Sequence, residues 1–214
     1  KASFETDNDS AFLIEGALCT SFCLDNHDHC VFGTNMDHEI IKIGQVFVNK
    51  RNVQKTAWES NTSGKYARWI SHYGSVTLNV LGNQFVWGGM NEAGLMISTM
   101  SLVETEEAAP DERPPLVSSF WVQYQLDNFS TVEEVIASDS LVRSTYAYDH
   151  YLVCDRKGDC AVIEFLEGKM VAHTGSELPV KVLTNSTYRD SLAALEDGNY
   201  WKVKVYSIET DGPA

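Results

Sequence analysis

Cys19 stands near the start of the strand-like run ALCTSFCL, and the chain returns through CVFGTNMD to Asp37. Such a hairpin brings the Asp37 carboxylate back toward the beginning of the outgoing strand. A thiol needs help to act as a nucleophile at neutral pH, because free cysteine titrates near ~8.5. One source of help is the cysteine's own α-amino group, with a pKa near ~7.7–8.0, which a neighbouring carboxylate can hold and orient. The plainer reading of Cys19 is a small buried apolar residue. A second feature is the run Met90-Asn91-Glu92-Ala93-Gly94-Leu95, which reads by itself as a turn with glycine at positive φ. The third is Leu183-Thr184-Asn185-Ser186, a strand ending in a carboxamide. Asn185 there can donate a hydrogen bond to a developing oxyanion, or merely end the strand and cap the following helix.

The elements that must position these groups are strand-rich at both ends of the chain, with helical material between. ALCTSFCL and CVFGTNMD form a first hairpin, and IIKIGQVFVNKRNV reads as strand and turn. ARWISHYGSVTLNVLG and QFVWGGMNEAGLMISTMSL alternate as paired strands do, with Gly82-Asn83 as turn chemistry between them. Residues 103–116 are acidic and hold three of the five prolines, so they form a loop, which can overhang a site as a lid or binding loop. SSFWVQYQLDNF places Phe120, Trp121 and Tyr124 at helical spacing. Ser130 with Glu133 three residues on opens another helix. AYDHYLVC, CAVIEFLEG, KMVAHTG and VKVLTNS are further strands, and TYRDSLAALEDG is a last helix. Strands and helices segregated in this way predict an α+β fold, an antiparallel sheet covered by helices.

The 214 residues fit one domain. Hydrophobic residues at 43% and charged residues at 21% exclude wholesale disorder. A formal net charge of −14 repels phosphate backbones and anionic lipid, so neither nucleic acid nor a membrane surface is expected as partner. No apolar run approaches the roughly 18 residues of a membrane span. Of five cysteines, Cys23 and Cys30 flank one polar turn and Cys154 and Cys160 flank another, leaving Cys19 over. Each flanking pair can face across a hairpin as a disulfide, which predicts a periplasmic or secreted location; reduced cysteines in strands are the alternative. His27, Asp28, His29 and Cys30 are too closely spaced to converge on one tetrahedral ion, so no metal is expected.

Taken together, CTSF…VFGTNMD, YGSVTLN…GGMNEAGL and VLTNS, in that order, resemble the choloylglycine hydrolase and penicillin V acylase family, linear amide C–N hydrolases of the N-terminal-nucleophile superfamily. The resemblance covers most of residues 19–195. It implies an αββα sandwich of two antiparallel sheets between helical layers, and a mature enzyme that begins at Cys19. By the same matching, Asp37 is the carboxylate near the nucleophile and Asn185 the side-chain oxyanion donor. Ser101 aligns with a second oxyanion contributor, acting at least through its backbone N–H. Asn35 takes a position that lines the site. Trp87, Met100, Phe120 and Trp121 are candidates to hold the acyl part of a small N-acyl amide substrate, or else ordinary core. No cofactor is implied.

Departures from the family pattern carry consequences. Thr34 stands where family members have an arginine that favours the thiolate, with Arg51 or Arg68 as candidate substitutes. Residues 1–18 precede the nucleophile and are expected to be a pro-segment or leader remnant, because an amide nitrogen cannot serve as a base. Full-length relatives are longer, so the single domain over residues 19–214 is expected to be incomplete at its C-terminus. Rival readings are an acyltransferase of the same fold and a secreted binding domain that has lost catalysis. Homo-oligomerisation is left open.

Overall fold

A computed structural model of the protein describes residues 19–25, 30–37, 44–57, 66–80, 85–145 and 148–197, with the side chains of residues 25 and 30 excepted. The segment 1–18, the Gly82-Asn83 turn and His27, Asp28 and His29 lie outside these. Fourteen strands are described: β1 (Thr20–Asp25), β2 (Cys30–Asn35), β3 (Gln45–Asn49), β4 (Gln54–Thr56), β5 (Arg68–Ile70), β6 (Ser75–Val80), β7 (Phe85–Asn91), β8 (Met96–Ser101), β9 (Pro115–Val117), β10 (Arg143–Thr145), β11 (Asp149–Cys154), β12 (Cys160–Leu166), β13 (Lys169–Thr174) and β14 (Val182–Leu183). The α-helices are α1 (Ser118–Asn128), α2 (Val132–Ala137) and α3 (Tyr188–Glu196).

The main sheet has seven antiparallel strands in the order β13-β12-β11-β8-β7-β6-β3. A second sheet runs β14-β1-β2, also antiparallel, and so brings the start of β1 beside both β2 and β14. Two short pairs complete the strands, β4-β5 antiparallel and β9-β10 parallel. The expected α+β arrangement of antiparallel sheets flanked by helices is present.

Alternation along the central strands divides the interior in two. Ile97, Tyr151, Val153, Ile163 and Phe165 face α1 and α2, packing on Trp121, Val122 and Val135. Met100, Leu152, Cys154 and Val162 face the other way, toward Cys19, Leu183 and Tyr188. Each fully buried Leu, Ile or Val contributes roughly 1.5–3 kcal/mol. These two layers therefore fix which face of the main sheet meets the cysteine.

Local chemistry explains two shifts from expectation. The capping box of α2 is built by Thr131 and Glu134, one residue beyond the expected Ser130 and Glu133: Thr131 Oγ1 accepts from the Glu134 N–H, and Glu134 Oε2 accepts from the Thr131 N–H. Ser130 instead donates to the same Glu134 carboxylate from outside the helix. The cysteine pairs also separate. Cys154 and Cys160 are directly opposite in register and bridged. Cys23, however, is opposite Phe32, and Cys30 is opposite Asp25, so those two cysteines are not cross-strand partners. The Cys23 sulfur lies within 4.8 Å of the sulfurs of Cys154 and Cys160.

The turn of the second motif is structural. Gly94 has φ +91°, as its position requires. Asn91 Oδ1 accepts from the N–H groups of Ala93 and Leu95 at 3.1 and 3.0 Å, while its Nδ2 donates to the carbonyls of Leu126 and Phe129. The motif thus ties β7 and β8 to the end of α1. No helix among the described residues is long and apolar enough to cross a membrane.

Candidate active site

Cys19 sits just before β1, 2% exposed, where β2 and β14 flank its strand and Met100 of β8 packs below. Its backbone nitrogen donates to Asn185 Oδ1 at 2.6 Å. Asn185 Nδ2 donates to the Ser101 carbonyl at 2.9 Å, which joins the end of β14 to the end of β8. Asn185 does not cap α3; that role falls to Thr187, whose side chain accepts from the Asp190 N–H.

The sulfur has its own set of partners. Burial pushes the Cys19 thiol up, opposed by hydrogen bonds from the Asp37 backbone N–H, the Asn185 side chain and the Ser101 backbone N–H. The nearby charge of Asp149 adds to the upward shift. Asp149 is itself buried at the start of β11, opposite Ser101. Desolvation lifts its carboxyl to about 7, against a hydrogen bond from Ser118 that lowers it.

Several expected residues therefore converge: Cys19, Asn185, Ser101 and the backbone of Asp37. The Asp37 side chain is exposed, and the described partner of the Cys19 nitrogen is the carboxamide of Asn185 rather than that carboxylate. Asn35 ends β2 opposite Thr20 and is also exposed. Trp87 and Met100 belong to the same apolar cluster as Cys19, with Met100 Sδ accepting from Ser21 Oγ at 2.7 Å. Phe120 and Trp121 do not join them. They pack on the opposite face of the main sheet, where Trp121 stacks on Tyr151 at 4.1 Å between ring centroids. Helical spacing on α1 selects the helix-facing layer, so these two are core.

The arginine question resolves into hydroxyls. Thr34 Oγ1 and Ser98 Oγ are 2.6 Å apart, and Ser21 Oγ lies 3.5 Å from Thr34 Oγ1. Arg51 is engaged by Glu92 at an exposed turn, and Arg68 is an exposed residue of β5, a strand outside both main sheets. Asp149, His150 and Glu164 were invisible to motif reading. Their signal was a charged or ionisable residue inside an otherwise apolar strand, DHYLVC and CAVIEFL, which is uncommon unless the group has a buried task.

The chain has counterparts among known proteins. The family model for linear amide C–N hydrolases, choloylglycine hydrolase family, matches residues 19–209. A penicillin V acylase of Pectobacterium atrosepticum is 30% identical over 205 residues, covering 86% of this chain and 52% of that protein. The structure of penicillin V acylase from Agrobacterium tumefaciens aligns with a TM-score of 0.74 at 30% identity, over 84% of this chain and 56% of that one. A conjugated bile acid hydrolase from Clostridium perfringens shares the fold, with a TM-score of 0.70 at 22% identity over 84% of this chain and 57% of that one. The chain thus spans about half the length of the curated relative it matches. Since the family match begins at Cys19 and takes in both strands that flank it, the chain belongs to the choloylglycine hydrolase family of linear amide C–N hydrolases.

Proposed function

We propose that the protein hydrolyses the linear amide C–N bond of an N-acyl substrate, with Cys19 as an N-terminal nucleophile. The observation that carries this reading is the hydrogen bond from the Cys19 nitrogen to Asn185 Oδ1 at 2.6 Å, with Asn185 Nδ2 in turn on the Ser101 carbonyl at 2.9 Å. Processing first breaks the Leu18–Cys19 bond. The thiol attacks the Leu18 carbonyl, the nitrogen leaves as the free α-amine, and water hydrolyses the resulting thioester to release the Leu18 carboxylate.

In turnover, the Cys19 thiol attacks the substrate carbonyl while the α-amine takes its proton. Asn185 Oδ1, already 2.6 Å from that nitrogen, orients the amine. The tetrahedral oxyanion is held by Asn185 Nδ2 and the Ser101 N–H; each such donor is typically worth about 3–4 kcal/mol. For this, Nδ2 exchanges the Ser101 carbonyl for the oxyanion. The amine proton passes to the leaving nitrogen, a thioester remains on Cys19, and water attacks it with the amine as base.

Trp87 and Met100, 4% and 0% exposed, are buried in the apolar cluster that carries Cys19, and back the site without offering a surface to the acyl part. Penicillin V acylase and conjugated bile acid hydrolase are the activities named for the relatives. The net charge of −14 disfavours a strongly anionic substrate. The Cys154–Cys160 bridge supports an oxidising compartment, periplasmic or secreted. Intact mass tests the first step: the mature chain begins at Cys19. A panel of phenoxyacetyl amides, fatty acyl amides and conjugated bile salts then tests the second, with turnover by the processed protein and none by Cys19→Ser. A processed protein that turns over no amide contradicts the reading.

A further inference from the structure

The turn that carries Asn185 is held from both ends by one buried carboxylate. Glu164, in the middle of β12, is fully buried. Its Oε1 accepts from the backbone N–H of Tyr188 at 2.9 Å, the first residue of α3. The same oxygen contacts His150 Nδ1 at 3.1 Å. The other ring nitrogen of His150 lies 2.6 Å from the Thr184 carbonyl. Residue 184 thus begins the turn and residue 188 ends it. Between them Asn185 reaches across to Cys19 N and Ser101 O.

Hydrogen counting gives the pair its character. A carbonyl only accepts, so His150 Nε2 carries a hydrogen. The contact between Nδ1 and Oε1 then needs one more proton, shared by imidazole and carboxylate. Burial pushes the Glu164 carboxyl up, but hydrogen bonds from His150, Tyr188 N–H and His173 outweigh it and hold the group below the ordinary carboxylate range. The second oxygen, Oε2, is 3.1 Å from His173 Nε2, whose ring lies against Tyr188. These are the titratable groups that face the pair from β11, β13 and α3. Placing a charge in a dry layer is costly, and an apolar triad of equal volume would pack there at less expense. Such networks are retained where one arrangement must be specified.

We propose that Glu164 and His150 are positioning residues that fix Asn185 at the Cys19 nitrogen and sulfur. Neither touches the reacting atoms; both act through the 184–188 turn. The inference rests on the reading of Cys19 as nucleophile, and its test separates the two. Glu164→Gln and His150→Gln are compared with wild type in two ways: kcat and KM on whichever amide the panel identifies, and the pH profile of Cys19 alkylation by iodoacetamide. The second needs no substrate. Because the Asn185 side chain favours the thiolate, a loosened turn moves the alkylation profile to higher pH. The expected result is that shift in both variants, with kcat down about 10²-fold for a misplacement near 1 Å and KM changed by less than about twofold. Lys55→Met, which breaks the partly buried pair with Asp127 of α1, controls for plain destabilisation by losing stability while keeping the profile. Where Glu164→Gln does not fold, His150→Gln, which leaves the bonds to Tyr188 and His173 standing, gives the same reading. Folded variants with unaltered profile and kcat overturn the proposal. A shifted profile in a protein that hydrolyses no amide overturns the proposed function and leaves the positioning role intact.

Discussion

At the residue scale the thiol sits among groups that pull in opposite directions: burial raises it most, and the charge of Asp149 adds a smaller push the same way. Desolvation lifts the Asp149 carboxyl from its ordinary value of 3.8 to about 7 in the folded chain. Between those values the folded state binds a proton that the unfolded state does not, so the group's contribution to stability falls as pH rises from about 4 through 7. Asp149→Asn removes that fall. The variant therefore loses less stability than wild type between pH 5 and pH 8, as read by urea midpoints. It also removes a charge that disfavours the thiolate of Cys19, so alkylation of Cys19 moves to lower pH. An unchanged alkylation profile would show that the two groups do not communicate. Cys19, Ser101 and Asn185 were legible in the sequence because their motifs are short and ordered. Asp149 was not, because its effect comes from desolvation by β8 and α1, which no local pattern records. The Asp37 carboxylate illustrates the reverse: spacing brought the residue to the right place, but the hairpin presents its backbone N–H to the sulfur and leaves the side chain outside.

At the scale of elements, hairpin register decides which pairs of residues meet. Cys154 and Cys160 flank a tight turn whose Asp155 carboxylate accepts from the N–H of Lys157, and they fall opposite each other in the ladder. The same flanking logic fails for Cys23 and Cys30, since β1 and β2 pair with Cys30 opposite Asp25. Sequence separation alone could not distinguish the two cases, because a shift of register changes every partner. Closing so short a loop is worth about 2 kcal/mol in the chain-entropy account. Reduction of the Cys154–Cys160 bridge is therefore expected to lower the melting temperature by about 4–8 °C for a chain of this size. Differential scanning with and without reductant measures it, with Cys154→Ala/Cys160→Ala as the unbridged reference. A drop of 15 °C or more, well beyond that ~2 kcal/mol, would mean that the bridge holds native packing beside Cys23 and not only the unfolded chain. Helix α1 was read correctly as a helix from its spacing, yet its burial on nearly all sides was hidden. Its buried carboxylate is satisfied internally: Asp127 accepts from Trp69 Nε1 at 2.6 Å and from Gln123 Nε2 at 2.8 Å.

Over the whole molecule, two surface properties oppose each other. The formal charge of −14 keeps copies apart. Against it, Val46, Val48, Val76, Leu78 and Met90 are each between 40% and 77% exposed. Register makes them neighbours: Val46 pairs with Leu78, Val48 with Val76, and Val76 with Met90. They form one apolar stripe across β3, β6 and β7, on the side of the main sheet where the β14-β1-β2 sheet lies over β8 and β11. Contiguous apolar surface of this kind drives association once repulsion is screened. Screening length falls from about 30 Å at 0.01 M salt to about 3 Å at 1 M, so the balance is tunable. Sedimentation velocity is expected to show smaller species at low salt and larger ones as salt rises. Val48→Glu/Leu78→Glu both interrupts the stripe and adds repulsion, and it should remain unassociated at salt where wild type does not. If the variant associates as wild type does, the contact lies elsewhere and the stripe is not its cause. If association falls with rising salt, charge complementarity rather than apolar burial holds the copies together, and the ordering of the two forces argued for this surface is reversed.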